Sequence, residues 1–194
     1  MRFLTGALLA LMVATGSASA QPWIEYTDRE ELFFVNLPEQ PKVEDVMMET
    51  EYGAMVPGKK YTANRGDNHF TVTVWNYADA EVTDVRGSVA FAAHNLRVRE
   101  KGNEITYDAY AQVDRIEGHQ LQFTRPDGRR VFIAMHLHKS RLYILDADVV
   151  KGQPPPILFQ ASLQILDEEG NRVRYNLDAD GVKTPVRGGR PDAL

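Results

Sequence analysis

His136-Leu137-His138 is the tightest grouping of metal-capable side chains in the sequence. In an extended strand, residues two apart point to one face, so both imidazoles could reach a single ion. Asp146 and Asp148 repeat that spacing in the next extended run and could supply carboxylates. A turn at Lys139-Ser140, however, pairs His138 with Arg141 and sets Asp146 opposite Ile133, beyond one ligand shell. Two histidines lacking a third ligand are an incomplete zinc set, and the same pair suits the solvent-facing or helix-covered side of a sheet. His136 and His138 therefore read both as a candidate metal pair and as sheet residues.

Aromatic side chains offer a second kind of chemistry. Trp75, Tyr77, Tyr107 and Tyr110, with Trp23 and Tyr26, could line a cleft for an apolar or sugar-like ligand, or fill a core with their polar tips partnered. Arg125, Arg129 and Arg130 bracket a turn, where they are either solvated or available to an acidic partner or anionic lipid. His69, His94 and His119 are scattered singly, and Ser88 lies at a helix start, where serine usually caps. The sequence has no Gly-x-Ser-x-Gly, phosphate-binding glycine loop or His-Glu-x-x-His. No catalytic residue and no cofactor are predicted.

The elements that must position these residues are mostly strands. Phe33–Leu37 stops at Pro38, Val43–Tyr52 and Val56–Asn64 follow, and Phe70–Trp75 alternates cleanly between apolar and polar positions. Gly53 joins the second and third of these runs, with Pro57-Gly58 placed near the turn. From Asp84, a candidate N-cap, the apolar residues Val85, Val89, Ala92, Ala93 and Leu96 recur at helical spacing as far as Gly102. Arg86, His94, Arg97 and Arg99 give that helix a basic outer side. Tyr107–Ile116 and His119–Arg125 read as strands turning at Glu117-Gly118. In the next strand, Val131, Ile133, Met135 and Leu137 share one face while Phe132, Ala134, His136 and His138 share the other. Arg141–Ala147 is a further strand, and Pro154–Pro156 open a closing helix through Phe159–Leu166. The order strands, helix, strands, helix predicts an α+β domain, an antiparallel sheet covered by helices.

The two ends of the chain differ from its middle. Arg2, the apolar run Leu4–Val13 and Ala18-Ser19-Ala20 form an export signal cleaved after Ala20. The apolar run is too short for a membrane span of about 20 residues, so no stable anchor is expected after cleavage. The expected domains are residues 1–20 as signal peptide, 21–166 as a single α+β domain and 167–194 as a flexible tail. That tail holds Asp167-Glu168-Glu169-Gly170 and few large apolar groups. Cleavage removes Arg2 from the 22 Lys and Arg, leaving 21 against 27 Asp and Glu, a formal balance of −6. This mild acidity, without a basic stripe or polybasic segment, disfavours nucleic acid as a partner. With no cysteine, disulfides, thiolate chemistry and a lipid-modified cysteine are excluded, and stability rests on packing.

Three features resemble the PsbP/Mog1-like α/β/α sandwich, a superfamily that includes small exported bacterial proteins. They are the opening Phe34-Val35-Asn36-Leu37-Pro38-Glu39-Gln40-Pro41, a helix at 84–101 between two sets of strands, and the closing Phe159-Gln160-Ala161-Ser162-Leu163 after the last strand. The resemblance spans residues 23–166 and implies a fold; its members resemble binding or assembly factors without a shared catalytic set. The expected function is a soluble, periplasmic, non-enzymatic factor that binds an envelope protein or a small ligand. The alternative is a metal-binding protein or metal-dependent enzyme using His136 and His138.

Overall fold

A computed structural model describes residues 22–79 and 84–186; the export segment with its expected cleavage after Ala20, residues 80–83 and residues 187–194 lie outside them. A first hairpin joins β1 (Ile24–Asp28) to β2 (Phe33–Leu37). A meander of β3 (Lys42–Glu49), β4 (Met55–Arg65) and β5 (Asn68–Asn76) precedes helix α1 (Val85–Arg99). A second meander contains β6 (Glu104–Val113), β7 (Ile116–Thr124), β8 (Arg130–His138) and β9 (Arg141–Val149). The chain closes with α2 (Ile157–Ala161), β10 (Gln164–Ile165) and a small hairpin, β11 (Tyr175–Leu177) with β12 (Lys183–Pro185).

Pairing of β5 with β9 fuses the two meanders into one antiparallel seven-stranded sheet, ordered β3-β4-β5-β9-β8-β7-β6. Strand alternation then divides the side chains between two faces. On the front, Phe70, Val72 and Val74 join Phe132, Ala134, Tyr143, Leu145 and Ala147 in a buried core. On the back, Leu121, Phe123, Val131, Ile133, Met135 and Leu137 join Val89, Ala92, Ala93 and Leu96 of α1. Both faces of β8 match the sequence reading.

The cover of the sheet differs from the predicted pair of helical layers. Helix α1 lies on the back, whereas the front carries the three-stranded sheet β1-β2-β10 together with the short α2. Phe33, Val35 and Leu37 alternate into the front core, so the first hairpin itself supplies the cover. The closing helix ends at Ala161 because Ser162 redirects the chain: its hydroxyl donates to the Phe159 carbonyl at 2.8 Å and accepts the Asn36 N–H at 2.8 Å. Gln164 and Ile165 then pair with Phe34 and Phe33 as a strand.

Two turns also fall elsewhere. Pro57 and Gly58 lie inside β4, opposite Met47 and Val46, and the β3–β4 turn is formed around Gly53. The β6–β7 turn is Asp114-Arg115, both at positive φ (51° and 67°), while Glu117-Gly118 lie within β7. Gly118 makes room for His136: a Cβ there would stand 2.1 Å from the Met135 carbonyl oxygen and 2.3 Å from His136 Nδ1.

His136 and His138 both lie on the front side of β8. His136 is only 4% exposed, and burial pushes its imidazole down to about 4. His138 shares a 2.9 Å hydrogen bond between Nε2 and the Tyr175 hydroxyl; burial, then the Lys139 charge, lowers it to about 4. The β8–β9 register sets His138 opposite Arg141 and Asp146 opposite Ile133. Asp146 therefore shares the face of Ile133, and the histidines face the other way. The described residues contain no group of three or more His, Asp or Glu side chains arranged to hold a metal ion.

Tyr175 belongs to the segment read as a flexible tail, which is tied to the domain over Arg172–Tyr175, while the hairpin residues that follow, 176–186, are exposed. Arg172 forms a two-pronged pair with Asp114 at 2.7 and 3.0 Å, and the Tyr175 N–H donates to the Asp114 carbonyl. Val173 and Tyr175 pack against the front core. Composition missed this because a few well-placed contacts, rather than a large apolar content, hold the segment down.

Gly118→Ala is expected to destabilise the protein by about 3 kcal/mol in urea unfolding, since neither backbone Met135 nor the enclosed His136 ring can yield cheaply. The histidines also make stability depend on pH. Both are neutral in the folded state down to about pH 4, whereas the unfolded chain takes up protons from about pH 6.5. Their stabilising contribution is thus complete above pH 6.5 and is lost as pH falls through this window. A loss of roughly 2 kcal/mol between about pH 6.5 and pH 5 is expected. Thermal melts across that range should show it, with a flatter profile for His138→Gln.

Candidate functional site: a groove beside helix α1

Helix α1 begins at Asp84, whose carboxylate accepts the Arg86 N–H at 2.9 Å. Its small residues Ala92 and Ala93 let it settle closely over β7 and β8. Charged side chains then fix its flanks. Arg97 grips both carboxylate oxygens of Asp108 on β6 at 2.7 Å, and His119 shares a further hydrogen bond with the same carboxylate at 2.5 Å. Arg97 and then His119 hold the Asp108 carboxyl down to about 2. Arg86 reaches Glu117 on β7 at 3.3 Å, and on the other flank Arg99 reaches Asp146 on β9 at 2.7 Å. The basic outer side expected of this helix is in part a set of ties to the sheet.

Because α1 covers β7 and β8, the back of β3, β4 and β5 is left beside it. A groove of about 400 Å³ runs there. Its floor includes Met48, Thr71, Thr73, Trp75 and Ile144, and its helical wall is Ala92, Asn95, Leu96 and Arg99. Trp75 lies across β4 because Gly58 has no side chain: a Cβ there would meet the indole Cε3 at 2.5 Å. The groove continues past Thr71, Arg99 and Asp146 into a polar extension that reaches His69, Glu100, Arg125 and Asp148.

The polar end is a connected ion network. Arg125 binds Asp148 and also reaches Glu100 at 3.4 Å, Arg129 holds Asp148 at 2.8 Å, and Asn103 donates to Glu100 at 2.7 Å. Burial raises the Asp146 pKa while the Arg99 guanidinium opposes that rise. Each of Asp146, Asp148 and Glu100 is held by at least one guanidinium, so these carboxylates are fixed hydrogen-bond acceptors. Arg125 and Arg129, which bracket the turn, serve this network. The resulting groove has an apolar, aromatic body and a charged end, a layout suited to orienting a ligand.

The four aromatic residues considered as one cleft are separated. Trp75 lines the groove, whereas Tyr77 is buried, its hydroxyl pushed up to about 12 by burial and then by the Glu51 charge. Tyr107 and Tyr110 are 44% and 47% exposed on β6, four strand steps, or about 19 Å, from β5. They also face opposite sides, Tyr107 opposite Gln122 and Tyr110 opposite His119. His136 and His138, on the front of the sheet, contribute nothing to the groove. The sequence signal for the groove was the back face of β5: Thr71, Thr73 and Trp75 behind Phe70, Val72 and Val74 mark a strand fully covered on one side only.

No protein-family model and no curated protein matches the chain. Among solved structures, the solution structure of cyanobacterial PsbP (CyanoP) from Synechocystis sp. PCC 6803 is similar at a TM-score of 0.51 and 12% identity. The similarity covers 79% of this chain and 98% of that one. Among the described residues, no helix is long and apolar enough to cross a membrane. The two-meander sheet with one helix between its halves is thus a PsbP-like fold, as the opening, middle and closing segments of the sequence anticipated.

Proposed function

We propose that this protein is a non-enzymatic binding factor of the cell envelope, exported by residues 1–20, and that the groove beside α1 receives its ligand or an extended segment of its partner. The observation that supports this most directly is the incompletely covered back of β3–β5, where half-buried Met48 and Trp75, beside the buried Ile144 of β9, form an apolar floor ending in the Arg99–Asp146 pair. A fold that needed only stability would cover Met48 and Trp75 fully, since each fully buried aliphatic or aromatic group is worth about 1.5–3 kcal/mol. The ion network favours binding over catalysis, because its carboxylates are committed to guanidinium partners and are poorly placed to exchange protons.

In-cell photo-crosslinking from Asn95, exposed on the groove wall, should return a reproducible envelope adduct that the same probe at Asn171 does not. Absence of any adduct, or equal adducts from both positions, would count against the groove. Asn95→Trp should suppress capture by blocking the opening while leaving the melting temperature within about 2 °C, as expected for an exposed position. Gly58→Ala should displace Trp75 from its bed on β4, with a shift in tryptophan emission and about a tenfold loss of ligand affinity, and should lower the melting temperature as well, because the new Cβ also meets the Val74 carbonyl oxygen at 2.6 Å.

A further inference from the structure

The end of the domain where the described chain begins carries a different surface. Trp23, Pro154, Pro155, Ile157 and Leu158 line an open cleft of about 590 Å³ between the start of β1 and the loop after β9. Ile157 and Leu158 are 67% and 66% exposed, the two most exposed large apolar residues among those described. Their neighbours are firmly seated: Trp23 packs edge-on against Phe70, and Phe70 against the buried Phe159. Folding has therefore presented Ile157 and Leu158 outward on a rigid base, without a floppy loop.

Cations frame this surface. The Arg65 guanidinium lies 5.8 Å from the Trp23 ring centroid, Arg130 donates to the Gln153 carbonyl, and Lys151 opens the same loop. Among the described residues none of these three is in an ion pair, whereas Arg125 and Arg129 nearby are taken up by Asp148. Asp67, Asp127 and Glu39, the last accepting the Asn64 N–H at 2.8 Å, are carboxylates in the adjoining turns. Unpaired cations around protruding aliphatic groups and a tryptophan match an anionic lipid interface, where charge attracts and the apolar tip enters the headgroup boundary.

We propose that this tip docks peripherally on an anionic membrane surface through Ile157, Leu158 and Trp23, with Arg65, Arg130 and Lys151 contacting lipid headgroups. It uses a surface separate from the groove, so a groove that binds nothing leaves it standing. The test is flotation of the protein as exported and processed by the cell, with phosphatidylcholine vesicles with or without phosphatidylglycerol. Binding should favour the phosphatidylglycerol vesicles and weaken with salt. In a Trp75→Phe background, where Trp23 is the remaining tryptophan, emission should shift to shorter wavelength on binding. Ile157→Asp with Leu158→Asp should lower partitioning at least about tenfold. Arg65→Glu with Lys151→Glu should abolish the preference for anionic vesicles, while Val98→Glu, at an exposed aliphatic site on α1, should bind like the parent. Failure to bind either vesicle, the result expected if a protein covers this tip, would overturn the proposal. So would unchanged binding by the Ile157/Leu158 variant, or an equal loss in Val98→Glu.

Discussion

The lateral position of α1 on the back of the sheet is the constraint from which the candidate site follows. One helix is narrower than seven strands, so it must leave part of that face uncovered, and where it lies decides which part. Apolar packing through Val89, Ala92, Ala93 and Leu96 draws the helix toward the sheet but is nearly indifferent to small sideways slides. Directionality comes from the arginines. Arg97 on Asp108 pulls toward β6, and Arg99 on Asp146 pulls toward β9. Partly exposed ion pairs of this kind are individually worth little, yet two pairs on opposite flanks oppose any slide that would close the groove. Arg99 does both jobs, since it ties the helix and forms part of the groove wall.

How much of this could be read from sequence depends on the range of the interactions. Period-two alternation in β5, β8 and β9 and the Asp84 cap are local, and they were legible. The Asp114-Arg115 turn was not, because two L-residues at positive φ do not carry the signal that glycine gives. Gly118 misled for a related reason: its lack of a side chain serves space for His136 across the ladder, not a turn. The His/Asp separation was legible through hairpin register alone, since β8 and β9 adjoin in sequence. Dispersal of the aromatic residues was not legible, because it depends on β5 pairing with β9 rather than β6, a choice made between distant segments. Helical cover on the front failed on the same ground, as the first hairpin and Ser162 settle it together.

Charge followed the same rule. No stretch of the sequence is polybasic, and the overall balance is −5. Arg65 ends β4, Arg130 opens β8 and Lys151 follows β9, and the fold brings the three to one end of the sheet because these strands begin or end there. The arginines flanking the same hairpin show the opposite outcome, since Asp148 points to the back face and neutralises Arg125 and Arg129. Strand alternation thus sorts a mixed set of charges into a paired network at the groove and an unpaired set at the tip.

The two surfaces are geometrically linked through β5. That strand starts at Asn68, which lines the tip cleft, and its back face passes from His69 through Thr71 and Thr73 to Trp75 along the groove. The groove therefore runs along the strands, with its ion network nearest the tip and its aromatic floor farthest from it. Docking at Ile157 and Leu158 would leave the groove open to the side and place Trp75 roughly 20 Å from the lipid, the length of six residues of extended strand. A ligand or partner segment entering beside α1 would then lie along the membrane normal, its polar end toward the headgroups and its apolar body held in protein. The rigid pairing of β5 with both β4 and β9 keeps that alignment fixed, because it has no hinge between the two surfaces.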